Sequence, residues 1–157
     1  MSGGVRLKTV AEVLTSIRQI IKLYETYLET TREKYGLSLM EIRIISFLAN
    51  NPDKDTVGHI ANARMLSKGN VSRGAESLIQ KGLLERIPDK NDRRWVHLHL
   101  RPTADSIIEE IEEVGRIFEE QLFTGFTQEE YEQFNELNDR FFENIIQGLE
   151  RGRKKNE

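Results

Sequence analysis

Two short stretches of the chain concentrate side chains suited to recognising a polyanion. In the first, Ser67, Lys68, Gly69, Asn70, Ser72 and Arg73 follow one another with only Val71 between them. Asparagine and arginine can pair in bidentate fashion with adenine and guanine edges, serine and lysine can take phosphates or bases, and glycine permits close backbone approach. In the second, Asp89, Lys90, Asn91, Asp92, Arg93 and Arg94 crowd one turn. So many charges in one turn cost entropy and repulsion without an evident folding benefit. A minor-groove reader explains them: one arginine enters the groove, drawn by its negative potential, while a neighbouring carboxylate holds the guanidinium. Asp92 and Arg94 supply that brace and reader. The blander account is a capped wet helix face and a solvated hairpin held by surface ion pairs.

Other chemistries have less behind them. His97 and His99 would project from one side of a strand, but a metal site would need carboxylates or His59 to converge on them. An exposed pair that gains phosphate affinity when protonated is the favoured reading. The chain has no cysteine, which excludes disulfides, thiolate metal sites and thiol redox sensing. It has no glycine-rich phosphate loop and no nucleophile and base pattern, and its many glutamates recur opposite apolar stripes, so neither catalysis nor a cofactor is expected.

The elements that must carry these residues follow from apolar spacing. Val5 to Tyr35 reads as one long amphipathic helix with Val10, Val13, Leu14, Ile17, Ile20, Ile21, Tyr24 and Leu28 on its stripe, closed by Gly36. Its length exceeds what one small core can cover, which asks for a partner helix. Ser38 and Glu41 form a capping box before a helix with Ile42, Ile45 and Leu48 inward, stopped by Asn50, Asn51 and Pro52. Thr56 to Arg64 is a short helix. Met65 and Leu66 turn the chain, and Ser67 caps a helix running to Lys81 with Gly82 beyond it. Val71, Ala75, Leu78 and Ile79 are its core stripe.

Leu83 to Ile87 and Trp95 to Leu100 read as strands of a hairpin whose tip is the charged turn. A helix from Pro102 to Gly125 carries Ile107, Ile108, Ile111, Val114, Phe118 and Leu122. Thr127 and Glu130 open another, with Tyr131, Phe134, Leu137, Phe141, Ile145 and Leu149 in register, and a polar, frayed tail starts at Arg151. Tyr24, Tyr27, Tyr35, Phe47, Phe118 and Phe123 are candidates for an effector pocket, although aromatic residues at helical spacing more often form core.

Composition fits this plan. Of 157 residues, 38% are hydrophobic and 31% charged, as in a globular, helix-rich protein rather than a disordered one. The formal charge of -3 hides a segregation: residues 56–103 carry 9 basic and 4 acidic side chains, residues 104–150 carry 2 and 14. One lobe is suited to a polyanion while the other stays away from it. With no apolar run near the ~20 residues of a bilayer helix and no signal-peptide order, a cytoplasmic location is expected.

The order helix, turn, helix, hairpin is the plan of a winged helix-turn-helix. The run from Leu39 to Ala104, with IRIISFLANNP and then HIANARMLSKGNVSRGAESLIQKGLLERIPDKNDRRWVHLHLRPTA, resembles the MarR (multiple antibiotic resistance regulator) family of winged-helix transcription factors. The specific elements are VSR in the recognition helix, KGLLER leading into the wing, and DRR followed by alternating apolar residues and PTA. The resemblance implies a homodimer with interlocking N- and C-terminal helices, Ser67 to Arg73 in the major groove, and Arg94 at the wing tip braced by Asp92. It also implies release from DNA by a small aromatic or acidic effector. Gly69 and Gly74 depart from the family pattern, and each should loosen the recognition helix by about 1 kcal/mol.

The expectation is therefore a mainly α fold with a small β-hairpin wing. Residues 37–103 would form the winged helix-turn-helix DNA-binding domain, 1–36 and 104–150 a helical dimerisation region, and 151–157 a polar tail. Candidate DNA contacts are Arg64, Ser67, Lys68, Gly69, Asn70, Ser72 and Arg73 from the helical part, and Lys90, Asp92, Arg93 and Arg94 from the wing. The function expected is sequence-specific double-stranded DNA binding by a homodimeric transcriptional regulator, read as a repressor. The rival is a winged-helix interaction module, antirepressor-like, that dimerises without reading DNA.

Overall fold

A computed structural model describes residues 9–92 and 94–154. Arg93 of the expected wing set, the Val5–Lys8 start of the expected first helix, and residues 155–157 of the tail lie outside the described residues. Among the described residues, seven α-helices and one two-stranded sheet follow in order: α1 Val10–Tyr27, α2 Glu29–Tyr35, α3 Leu39–Asn50, α4 Val57–Ala63, α5 Lys68–Gln80, β1 Leu84–Pro88, β2 Val96–Leu100, α6 Asp105–Leu122 and α7 Gln128–Lys154. Among the described residues no helix is long and apolar enough to cross a membrane.

The helix starts obey local side-chain chemistry. Thr9 with Glu12, Ser38 with Glu41, and Thr127 with Glu130 each form a reciprocal capping box. Thr56 and Ser67 accept hydrogen bonds from the backbone N–H of His59 and Asn70.

Several boundaries differ from the sequence reading. The single first helix is two, parted at Leu28, although Leu28 N–H still bonds to the Tyr24 carbonyl. Just before the break the Thr26 hydroxyl donates to the Lys22 carbonyl, a competing bond that bends helices. The helix after the wing begins as a 3-10 turn at Pro102–Ala104, where proline supplies no N–H, and α6 ends at Leu122, three residues before Gly125 with its positive φ of 86°. The tail is not frayed from Arg151: α7 continues to Lys154. The strands start one residue later than expected, at Leu84 and Val96.

The chain divides into two compact units, residues 1–118 and 119–157. In the first, α3, α4, α5 and the hairpin share one core of Ile42, Ile44, Ile45, Ile60, Val71, Ala75, Leu78, Leu84 and Leu98, which Leu28, Ile107 and Ile111 join. Burying each valine, leucine or isoleucine among them stabilises the fold by about 1.5–3 kcal/mol. Gly74 marks where α5 comes closest to α3: a Cβ there would lie 2.7 Å from Ile44 Cδ1 and 2.8 Å from Met40 Cγ. Its absence is a packing requirement, which corrects the expectation that Gly74 merely loosens the helix. At Gly69 an added Cβ meets only Arg73 Nη1, at 3.8 Å.

In the second unit Phe123 packs edge-on against Phe126, Tyr131 and Phe134. Phe134, Leu137, Phe141, Ile145 and Leu149 remain exposed along α7, as do Val10, Leu14, Ile17, Ile20 and Ile21 along α1 of the first unit.

Candidate nucleic-acid interface

Helix α5 buries Val71, Gly74, Ala75 and Leu78 and turns Lys68, Gly69, Asn70 and Arg73 to solvent, with Ser72 half-buried between the two faces. The exposed residues lie in its N-terminal half, the part of a docked helix that reaches base edges. Ser67 spends its hydroxyl oxygen on the Asn70 N–H. Arg73 donates to Asn70 Oδ1. One of the two lone pairs of Asn70 Oδ1 is thus taken by Arg73, so a bidentate pair with adenine has to share that oxygen with the arginine or displace it.

The helix is fixed from behind by Glu41. This carboxylate is only 3% exposed, accepts from Ser77 Oγ at 2.8 Å and from Lys81 Nζ at 2.7 Å, and closes the Ser38 capping box at the start of α3. Burial by itself would raise its pKa. The hydrogen bonds from Lys81, the Ser38 backbone and Ser77 outweigh burial and hold it below the usual carboxylate range. Lys81 Nζ also reaches the Gly36 carbonyl at 2.6 Å, so the C-terminal end of α5 is tied to the turn before α3.

The wing tip is an Asx-type turn. Asp89 Oδ1 accepts the N–H groups of Asn91 (2.7 Å) and Asp92 (2.8 Å), and Asp89 N–H donates to the Trp95 carbonyl. Asp92 then grips Arg94 with both oxygens: Nε donates to Oδ1 at 3.0 Å and Nη2 to Oδ2 at 2.8 Å, while the Arg94 backbone N–H also reaches Oδ1. These bonds hold the Asp92 pKa down and the Arg94 pKa up. The Arg94 side chain is 89% exposed, a guanidinium fixed in direction yet open to solvent. Lys90 is exposed beside it.

Not every candidate gathers here. Arg64 caps the C-terminus of α4 with its guanidinium carbon 5.7 Å from the Phe47 ring centre, and it borders a cleft rather than the α5 face. His97 and His99 are not an exposed pair. His97 is half-buried between Asp55 and Asp89, a contact that sequence reasoning missed because Asp55 lies 42 positions away. Its alternation with Leu98 was the only sequence signal, and that signal places it on the outer face. Among the described residues, no group of three or more histidine, aspartate or glutamate side chains is arranged to hold a metal ion.

Two helices crossing around a short turn, the second with its polar N-terminal half exposed, and a hairpin with a braced arginine at its tip define a winged helix-turn-helix protein. Residues 35–94, from the end of α2 to the turn between β1 and β2, match the model of the MarR family. The HTH-type transcriptional regulator PecS of Dickeya dadantii is 27% identical over 120 residues, 75% of this chain and 72% of that protein. Among solved structures, a MarR protein from Peptoclostridium difficile shares the fold with a TM-score of 0.76 at 18% identity, covering 92% of this chain and 95% of that one. The S. aureus MepR-DNA complex gives 0.69 at 18% identity over 87% of this chain and 96% of that one.

Proposed function

We propose that the protein is a sequence-specific double-stranded DNA-binding transcriptional regulator, acting as a cytoplasmic homodimeric repressor with no catalytic role. The observation that carries this reading is the exposed Arg94 gripped by Asp92 on the same domain as the Asn70 and Arg73 face. A cation held in direction but left to solvent contributes little to folding and much to recognition of a narrow, negative groove. Lys68, Asn70, Ser72 and Arg73 enter the major groove; Arg94, with Lys90, meets the backbone and minor groove. In a dimer the half-sites lie about one helical turn, ~34 Å, apart. PecS is named a transcriptional regulator and the S. aureus protein was solved with DNA, which is consistent with this reading.

An effector has a place to enter. A cleft of about 380 Å³ in the first unit is walled by Ile20, Tyr24, Leu28, Ile42 and Phe118, with Arg43, Arg64 and Glu25 at its polar side. Arg43 Nη2 is paired with Glu25 at 3.1 Å, so an acidic aromatic ligand would compete with Glu25 for that guanidinium. Of the aromatic candidates Tyr24 and Phe118 line it; Tyr27 packs edge-on against Phe118, and Tyr35, Phe47 and Phe123 are not among its lining residues.

The test is binding of the purified protein to its own upstream DNA against random duplex, between about 50 and 200 mM salt. A steep salt slope and a specificity of about 10³ or more is the expected result. Weak binding at every sequence would refute operator reading and favour the interaction module.

A further inference from the structure

The wing is tied to the loop ahead of α4 through a chain of hydrogen-bonded side chains. Asp55, in the loop ahead of α4, accepts the Leu98 backbone N–H from β2 at 2.7 Å. Its Oδ1 lies 2.7 Å from His97 Nδ1, and on the other side of the ring His97 Nε2 lies 3.1 Å from Asp89 Oδ2. The second oxygen of Asp89 builds the tip turn by accepting the Asn91 and Asp92 N–H groups, and Asp92 grips Arg94. One connected path therefore runs from the helical body through the imidazole to the exposed guanidinium. A neutral imidazole has one N–H and one lone pair, so between two carboxylates it must set a lone pair against an oxyanion. Only the imidazolium donates to both.

We propose that His97 is a positioning residue for DNA reading: as imidazolium it straps the wing tip to the loop ahead of α4, and its deprotonation frees the tip and weakens sequence-specific binding. This rests on the reading of the protein as a DNA-binding regulator. The charged groups that face the ring are Asp55 from the loop and Asp89 from the tip; His99, on the same strand, stands 3.7 Å from the other oxygen of Asp55. The hydrogen bonds to Asp55 and then Asp89 raise the His97 pKa above the ordinary histidine value. Asp89 is held below the usual carboxylate range, first by the Asp92 and Asn91 N–H groups and then by His97. Since the folded pKa of His97 is raised, the strap is complete below the ordinary value of about 6.5 and is lost as pH rises through the raised value. The operative window thus lies above the ordinary histidine value.

The experiment uses the full chain and a duplex that the wild type has enriched from a random-sequence pool, with random duplex as control, at fixed salt from about pH 6 to about pH 8.5. For the wild type, affinity for the enriched duplex should fall about tenfold across that range, while random duplex changes little. His97→Gln, which cannot take up a proton, should bind weakly and evenly, and Arg94→Ala should lose the pH-dependent part because the strapped group is gone. A His97→Gln profile that follows the wild type would overturn the strap. If no sequence is enriched, the DNA reading itself fails, and a second arm decides the strap alone. Trp95, the one tryptophan of the chain, bonds through its backbone to both Asp89 and Asp92. Its emission in the free wild-type protein should change through the same pH window. A flat emission overturns the proposal without any variant having to fold.

Discussion

Asn70 and Arg73 are paired with each other in the free protein, whereas Arg94 is paired with Asp92 in a way that leaves it pointing outward. The two contacts therefore respond differently to substitution. Arg94→Ala is expected to weaken specific binding by roughly tenfold to a hundredfold, read by fluorescence anisotropy on the selected duplex. Asp92→Asn keeps the cation and loses part of the grip, so a several-fold loss is expected; affinity equal to the wild type would refute bracing. The pairing of Asp92 with Arg94 was legible in the sequence because the partners stand two apart. Gly74 was not. Its role as a close approach to Ile44 and Met40 depends on how α3 crosses α5, which no local pattern records. Gly74→Ala should then destabilise by about 1 kcal/mol net, overpacking exceeding the gain in helix propensity. Gly69→Ala, where the added Cβ makes only an ordinary 3.8 Å contact with Arg73 Nη1, should stabilise by about 0.5–1 kcal/mol. Urea unfolding of both variants checks the opposite signs.

At the scale of elements, α5 is anchored at its far end. Glu41 joins the start of α3 to Ser77 and Lys81 near the end of α5, and Glu41→Gln removes the charge that both donors use. A loss of about 2 kcal/mol in unfolding free energy is expected. Because the folded pKa of Glu41 is lowered, that contribution is present above the ordinary value of about 4.3 and is lost as pH falls through the lowered one. The gap between wild type and variant should accordingly close in acid denaturation. Most elements could be read from the sequence, since Ser38 with Glu41, Ser67, and Thr127 with Glu130 signal their helices through contacts three residues apart. The break at Leu28 escaped that reading: periodicity continues through it, and so do the helical hydrogen bonds on either side. His97 escaped because its partners come from a loop and a turn that only the folded chain brings together.

For the whole molecule, the exposed stripes of α1 and α7 are the features that a lone chain leaves unsatisfied. Each exposed apolar stripe is by itself suited to association with another helix. Sedimentation velocity should give about twice the 18.3 kDa chain mass, and Leu14→Glu or Phe141→Glu should shift the species toward monomer and reduce operator affinity. The acidic side chains after residue 104 and the basic ones of residues 56–103 add an encounter that salt should slow. Asp55 has a consequence of another kind. It receives Leu98 of β2 by its backbone and His97 of the same strand by its side chain, so the stretch from Asn51 to Asp55 acts as a ruler between helix α3 and the wing. An insertion or deletion in that stretch would re-aim the wing without altering a single wing residue, and chains that differ only in its length would be expected to span operators of different spacing.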